Sequence, residues 1–280
     1  MGTGRARLIL VGTPIGNLGD LSPRVAEAFA AADVVACEDT RRTGRLLAHL
    51  GVRAPRLQRL DEHTEHEVAP RLVERIVAGQ IVAVASDAGM PGLSDPGARV
   101  AALAAAADQL IEVIPGPFAA AVALVGSGLL EHSGRFCFEG FLPRRGTERA
   151  GRLGGLVGER RTIVLYEAPH RLARTVADLA DTLGGDRRVA FCRELTKLHE
   201  ETWRGTLAEG VQRCAEVEPR GEYVIVLDGA GPPPEVTDEL LAEALAAELV
   251  EGASRRDAAA TVALRFGIAP NRAKRLVAEA

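Results

Sequence analysis

Short apolar runs recur through the first 230 residues, and segments with helical spacing separate them. Arg7–Val11 (RLILV), Asp33–Cys37, Gln80–Ala85 (QIVAVA) and Leu110–Ile114 (LIEVI) read as strands. Ser22-Pro23 supplies an N-cap followed by proline at the first helical position, so a helix opens there and runs to about Ala32. A further helix covers Gly97–Ala107, between the third and fourth of these strands. Apolar strands divided by helices in this way predict a mostly parallel sheet covered on both faces.

From about Ser133–Arg135 a second unit begins. Phe136–Glu139, Thr162–Tyr166, Arg188–Cys192 and Tyr223–Leu227 read as its strands, with helices such as His170–Leu183 between them. Gly229–Pro234 (GAGPPP) is a stiff linker that cannot continue a strand. Beyond it, Glu235–Glu251 holds six acids and no base, whereas Gly252–Ala280 holds six bases against Asp257 and Glu279. Ser254-x-x-Asp257 resembles a capping box with Asp in place of Glu, Gly267 ends that helix, and Pro270 opens another. The expected organisation is α/β, with domains over 1–132 and 133–230 and a small, helix-turn-helix-like unit over 235–280.

Charge changes this picture more than composition does. The formal net charge of −4 excludes a uniformly basic nucleic-acid coat, but only Lys197 and Lys274 among the 34 basic residues are lysines, and the arginines cluster. Arg41–Arg59 contains six arginines and no acid, and Arg144–Arg161 contains six against Glu148 and Glu159. With the basic C-terminal segment these make three patches suited to RNA phosphates, with Arg41, Arg42, Arg45, Arg144, Arg145, Arg255, Arg256, Arg272, Lys274 and Arg275 as the candidate contacts. Trp203, Tyr166 and Tyr223 are the few aromatics available for stacking, so recognition of RNA shape and backbone is expected. Cys37, Cys137, Cys192 and Cys214 lie far apart and form no C-x-x-C; they read as small buried hydrophobes in a reducing, cytoplasmic protein. Met1–Arg7 has no apolar signal core, and no apolar stretch approaches the ~20 residues of a bilayer crossing.

Three loops after predicted strands are rich in Gly and Pro: Gly12–Asp20, Ser86–Gly97 and Pro115–Ala120. Together they predict a rigid pocket lined by backbone at the carboxyl ends of the strands. Gly12-x3-Gly16-x2-Gly19 is not the dinucleotide pattern and no Lys-Ser/Thr follows, so a ligand without phosphates fits better than NAD. Glu38-Asp39, where a ribose-binding acid belongs, is the one feature in favour of NAD.

GTPIGNLGD (Gly12–Asp20), ACEDTRRT (Ala36–Thr43), SDAGMPGLSDPG (Ser86–Gly97), YEAPHR (Tyr166–Arg171) and RELTKLHEE (Arg193–Glu201) occur in this order. The sequence resembles the ribosomal small-subunit RNA 2′-O-methyltransferase I family, within the tetrapyrrole-methylase superfamily, over about residues 7–230. Met90, where Thr is common in relatives, and Phe118 are small departures. The resemblance implies a class III methyltransferase of two α/β domains with a cleft between them, a homodimer, and S-adenosylmethionine in the cleft. It places the cofactor at Pro14, Ile15, Gly16, Asp87, Gly89, Met90, Ala119, Ala120 and Tyr166. It further implies 16S ribosomal RNA, or the small subunit, as partner, with a cytidine 2′-hydroxyl as acceptor and neither a metal nor a membrane involved.

Methyl transfer from a sulfonium is an in-line displacement that positioning alone can speed. A ribose hydroxyl is weakly acidic, so a base or a cation beside it helps. Glu38, Asp39, Glu167, His170, Glu194 and Lys197 are the candidates, and the sequence selects no single base among them. A tetrapyrrole methyltransferase would explain the loops but not the basic patches. A non-catalytic RNA-binding protein would leave the loops without a purpose.

Overall fold

The computed structural model describes residues 5–53, 55–130, 134–231 and 236–279. The expected domain boundary at 132/133 and the prolines at 232–234 lie outside the described residues. The chain falls into two compact units, 1–229 and 230–280.

The first sheet is built from β1 (Arg7–Val11), β2 (Val34–Cys37), β3 (Arg56–Arg59), β4 (Ile81–Ala85) and β5 (Ile111–Ile114) in the order β3-β2-β4-β1-β5, with all pairings parallel. Alternate side chains of β1 feed two cores. Leu8 packs with Leu72, Ile76 and Val100 from helices α3 (Glu65–Val77) and α4 (Ala98–Ala106). Ile9 and Val11 pack with Val25, Phe29 and Leu47 from α1 (Pro23–Ala31) and α2 (Thr40–His49). The apolar runs are continuous because both faces are covered. Strand β3, sequence RLQR, escaped the sequence reading: it is an edge strand with two exposed arginines and no apolar run.

The second sheet runs β6 (Phe136–Phe141), β7 (Thr162–Glu167), β10 (Tyr223–Leu227), β8 (Arg188–Arg193), β9 (Glu201–Thr206). Only β6 and β7 pair in parallel; the other three pairings are antiparallel. β9, also an edge, is the second strand absent from the sequence reading. One face packs on α6 (Gly146–Leu156), α7 (Pro169–Leu183) and α8 (Leu207–Glu216) through Leu153, Leu172, Val176 and Leu207. The other face takes Ala120, Ala123 and Leu124 of α5 (Ala119–Ser127) together with Ile15 from the first loop. Thus α5 follows the first sheet in the chain but covers the second, and the loops between them are pressed against both. Cys37 and Cys192 are buried as expected, whereas Cys137 and Cys214 are half-buried at the rim of the core; all four are free.

The C-terminal unit is α9 (Asp238–Val250), α10 (Arg255–Phe266) and α11 (Pro270–Glu279) around Leu241, Leu245, Ala259, Val262 and Ala273. Ser254 Oγ caps α10 by accepting from the Asp257 N–H at 3.2 Å, but the reciprocal half of the expected capping box is absent. The shorter Asp257 carboxylate instead accepts the Ser254 hydroxyl proton at 2.6 Å. Gly267 ends the helix at φ 62°.

Candidate active site

Strands β4 and β5 flank β1, so the three Gly/Pro loops leave adjacent strands. They are stitched together by backbone. Thr13 and Gly89 exchange N–H···O bonds of 2.9 and 3.1 Å, and Thr13 Oγ1 donates to the Ser86 carbonyl at 3.2 Å. Gly12 and Gly116 touch through their main chains: a Cβ on Gly12 would sit 2.5 Å from the Gly116 nitrogen. Only glycine permits that approach.

Between these loops and the second sheet lies a cavity of ≈ 280 Å³. Ile15, Gly89, Met90 and Ala119 line it from the loops, and Tyr166, Cys192, Leu195 and Val224 from the second sheet and its connections. Tyr166 meets Phe138 and Phe141 edge-on at 4.9 and 5.6 Å, and its hydroxyl accepts the Ala120 N–H at 3.3 Å. Burial pushes the Tyr166 phenol up to about 12, so it stays neutral. Ala120 itself is fully buried and reaches the cavity only through Tyr166. Pro14, Gly16 and Asp87 line an adjoining groove of ≈ 550 Å³ together with Arg42, Arg45 and His49. Eight of the nine residues expected to hold a cofactor therefore line two neighbouring spaces, with Ile15 in both and Ala120 behind Tyr166.

The acidic candidates are not equivalent. Asp39 caps α2, and its carboxylate is held by the Arg41 side chain and N–H, which lowers its pKa to about 2. Glu38 is raised by burial, in part offset by the Asp87 N–H that its carboxylate accepts at 2.9 Å, and it lies behind Asp87, not on the cavity wall. Glu167 and His170, three residues apart near a helix start, could have shared a face, but one is buried and the other exposed. Glu167 is buried at the end of β7, where its oxygens accept from Ala168 N–H and Thr175 Oγ1 at 2.9 and 2.6 Å and form an ion pair with Arg171 at 3.1 Å; His170 is exposed one residue into α7.

Glu194 and Lys197 do pair, at 2.9 Å, and Lys197 Nζ also reaches Glu222 at 2.8 Å. Burial opposes both charges, but these hydrogen bonds prevail: Glu194 lies below and Lys197 above the ordinary value. The turn is tight, with Glu194 at φ 50° and Thr196 at φ 65°, and it presses on the first loop, where a Cβ on Gly16 would lie 2.4 Å from Lys197 Cγ. Lys197 and Glu222 line both the cavity and the groove.

One residue was overlooked. Asp95 lines the cavity, and burial, reinforced by the charges of Glu38 and Asp87, pushes its carboxyl up to about 7. In sequence it sits in Ser-Asp-Pro-Gly, which reads as a turn; nothing local signals its burial among other acids.

The arginine patches are partly spent inside the fold. Arg149 is buried, donating to Asp178, the Pro143 carbonyl and Thr175 at 2.8, 2.9 and 3.0 Å. Arg152 pairs with Glu139 and Arg161 with Glu159, while Arg272 and Arg275 both meet Asp238. Among the described residues Arg45, Arg144, Arg145, Arg255, Arg256 and Lys274 are exposed and form no ion pair. Trp203 stacks on Phe191 at 4.9 Å with Arg213 over its ring, so it is not open to a base. Among the described residues no His/Cys/Asp/Glu group could hold a metal, and no helix is long and apolar enough to cross a membrane.

The profile of the Tetrapyrrole (Corrin/Porphyrin) Methylases matches residues 7–210. A Synechocystis protein named ribosomal RNA small subunit methyltransferase I is 44% identical over 260 residues, covering 91% of each chain. A Xylella fastidiosa protein of the same name is 45% identical over 80% of this chain and 81% of its own. A Thermus thermophilus uroporphyrin-III C-methyltransferase structure complexed with S-adenyl homocysteine superposes with a TM-score of 0.56 at 18% identity, over 79% of this chain and 97% of that one.

Proposed function

The chain belongs to the tetrapyrrole (corrin/porphyrin) methylase family, and from that premise we propose that it methylates the ribose 2′-hydroxyl of a cytidine in 16S ribosomal RNA. The observation that carries the RNA substrate is 44–45% identity to two relatives named as small-subunit ribosomal RNA methyltransferases. S-adenosylmethionine is the methyl donor. The cavity suits it: the walls are mostly apolar with a few charged side chains, the sequence carries no phosphate-binding Lys-Ser/Thr loop, and Gly12 and Gly116 leave no room for side chains at the loop crossing. When bound, this cofactor supplies a methyl group on a sulfonium, a good leaving group.

Ile15, Gly89, Met90, Ala119 and Tyr166 form the cofactor wall, with Ala120 supporting Tyr166. Pro14, Gly16 and Asp87 face the groove and so stand nearer the acceptor. Asp39 and Glu167 are occupied by helix α2 and by Arg171 and Thr175, and Lys197 is the cation that lines both spaces, beside Glu222. Its ammonium stabilises negative charge growing on the 2′-oxygen. Asp95, titrating near neutrality on the cavity wall, is suited to take the proton. Arg41, Arg42, Arg45, Arg144, Arg145, Arg255, Arg256, Arg272, Lys274 and Arg275 remain the RNA contacts of this reading, strongest where no carboxylate competes. The exposed apolar side chains Val113, Val122 and Val125 offer a face for a second copy, and a ribosomal RNA substrate goes with work in the cytoplasm.

Calorimetry with S-adenosylmethionine should show binding, and mass mapping of 16S RNA from a deletion strain should show one 2′-O-methyl group missing. An unchanged methylation pattern would sink the RNA reading and leave methylation of a tetrapyrrole as the alternative.

A further inference from the structure

The groove beside the cofactor cavity has a chemistry of its own. Ile15, Ala88, Lys197 and Glu222 belong to both linings, so the two spaces adjoin. Helix α2 contributes Arg42, Arg45, Leu46 and His49, positions i, i+3, i+4 and i+7, which share one face. Thr43 is buried at the base of the groove, and Leu47 is buried in the core beneath the sheet. The helix therefore turns its apolar stripe into the core and a cationic one into the groove.

The charges in the groove do not cancel. Arg42 bridges Asp87 at 3.3 Å, and Lys197 is taken by Glu194 and Glu222. Arg41, just outside, folds back onto Asp39. Arg45 forms no ion pair among the described residues, and His49, one helical turn away and about 6 Å along the axis, is exposed with none either. An uncompensated guanidinium next to an imidazole, at the mouth of a methyl-transfer cavity, matches an anion brought by the acceptor. Guanidinium binds phosphate oxygens in a bidentate fork, and imidazole adds a third donor.

We infer that this groove is the acceptor's backbone subsite: Arg45 and His49 hold one phosphodiester beside the target nucleotide, and its ribose lies at Lys197. The inference rests on the RNA reading above. It separates the functions of a basic segment whose arginines look alike in sequence. Arg41 and Arg42 share their charge with Asp39 and Asp87, whereas Arg45 with His49 is free to hold the substrate.

The test uses the full chain, purified small ribosomal subunits and S-adenosylmethionine. Arg45→Gln, His49→Gln and their double variant are compared with Arg53→Gln, an exposed arginine of the same segment that does not line the groove. A lost charge-assisted phosphate contact should raise KM for the subunit about tenfold in Arg45→Gln. It should also lower the slope of log KM against log salt by about 1. Neither kcat at saturation nor S-adenosylmethionine affinity by calorimetry should change, and Arg53→Gln should match the wild type. Unchanged KM and salt slope in the double variant would overturn the inference. An equal effect of Arg53→Gln would replace a built subsite with diffuse charge, and weakened cofactor binding would assign the groove to the cofactor. If the wild-type protein binds S-adenosylmethionine but methylates no subunit RNA, the RNA reading itself fails, and this subsite fails with it.

Discussion

Asp95 offers the most direct physical test. Its carboxyl is raised from 3.8 to about 7 by burial and by the nearby charges of Glu38 and Asp87. Below about pH 4 it is protonated in both folded and unfolded chains and costs nothing. Between about pH 4 and pH 7 the unfolded chain releases the proton while the folded protein retains it, so stability falls as pH rises. Above pH 7 the loss is complete. Three pH units at 1.36 kcal/mol each set a ceiling of about 4 kcal/mol. Asp95 keeps partial exposure, and solvent screening reduces the figure to about 2 kcal/mol. Asp95→Asn keeps the shape and removes the ionisation. Urea midpoints measured from pH 4 to pH 8.5 should coincide at the acid end and diverge upward, with the variant about 2 kcal/mol more stable at pH 8. Parallel curves, or a variant less stable at pH 8, would refute the burial and charge argument. The same substitution should slow methyl transfer if Asp95 accepts the proton, so stability and activity should move in opposite directions.

Three further outcomes follow from the geometry. Gly12→Ala drives a methyl group into the Gly116 backbone, which cannot yield as a side chain does; it should cost about 1–3 kcal/mol and weaken S-adenosylmethionine binding by calorimetry, and unaltered binding would show that the loops adapt. Arg149→Met removes a buried guanidinium and with it the donors to Asp178, the Pro143 carbonyl and Thr175, with an expected loss of about 3 kcal/mol in urea unfolding and no change in RNA affinity of the folded enzyme; the reverse pattern would place Arg149 on the RNA surface. Lys197→Met preserves the stem packed on Gly16 but removes the ammonium; single-turnover methylation should slow about 100-fold, and an unchanged rate would remove Lys197 from the chemistry.

The sequence by itself determined the central strands, the loops and the helix ends. β1, β4 and β10 are buried on both faces, so their apolar runs are visible without any knowledge of their partners. Ser22-Pro23, Ser254 and Gly267 act within a single turn of backbone, and their roles are equally local. The edge strands β3 and β9 are different: RLQR and ETWRGT become strands only because a neighbour supplies one line of hydrogen bonds. Charge is still less local. Arg45 and Arg149 are the same residue in similarly basic segments, yet one is exposed in a groove and the other is buried against Asp178, 29 positions away. Asp95 owes part of its shift to Glu38, 57 positions away, and Lys197 part of its pairing to Glu222, 25 positions away; only their nearer partners Asp87 and Glu194 lie in the same segments. Backbone pattern depends on neighbours in sequence, whereas burial and charge compensation depend on neighbours in space, and only the tertiary structure decides which those are.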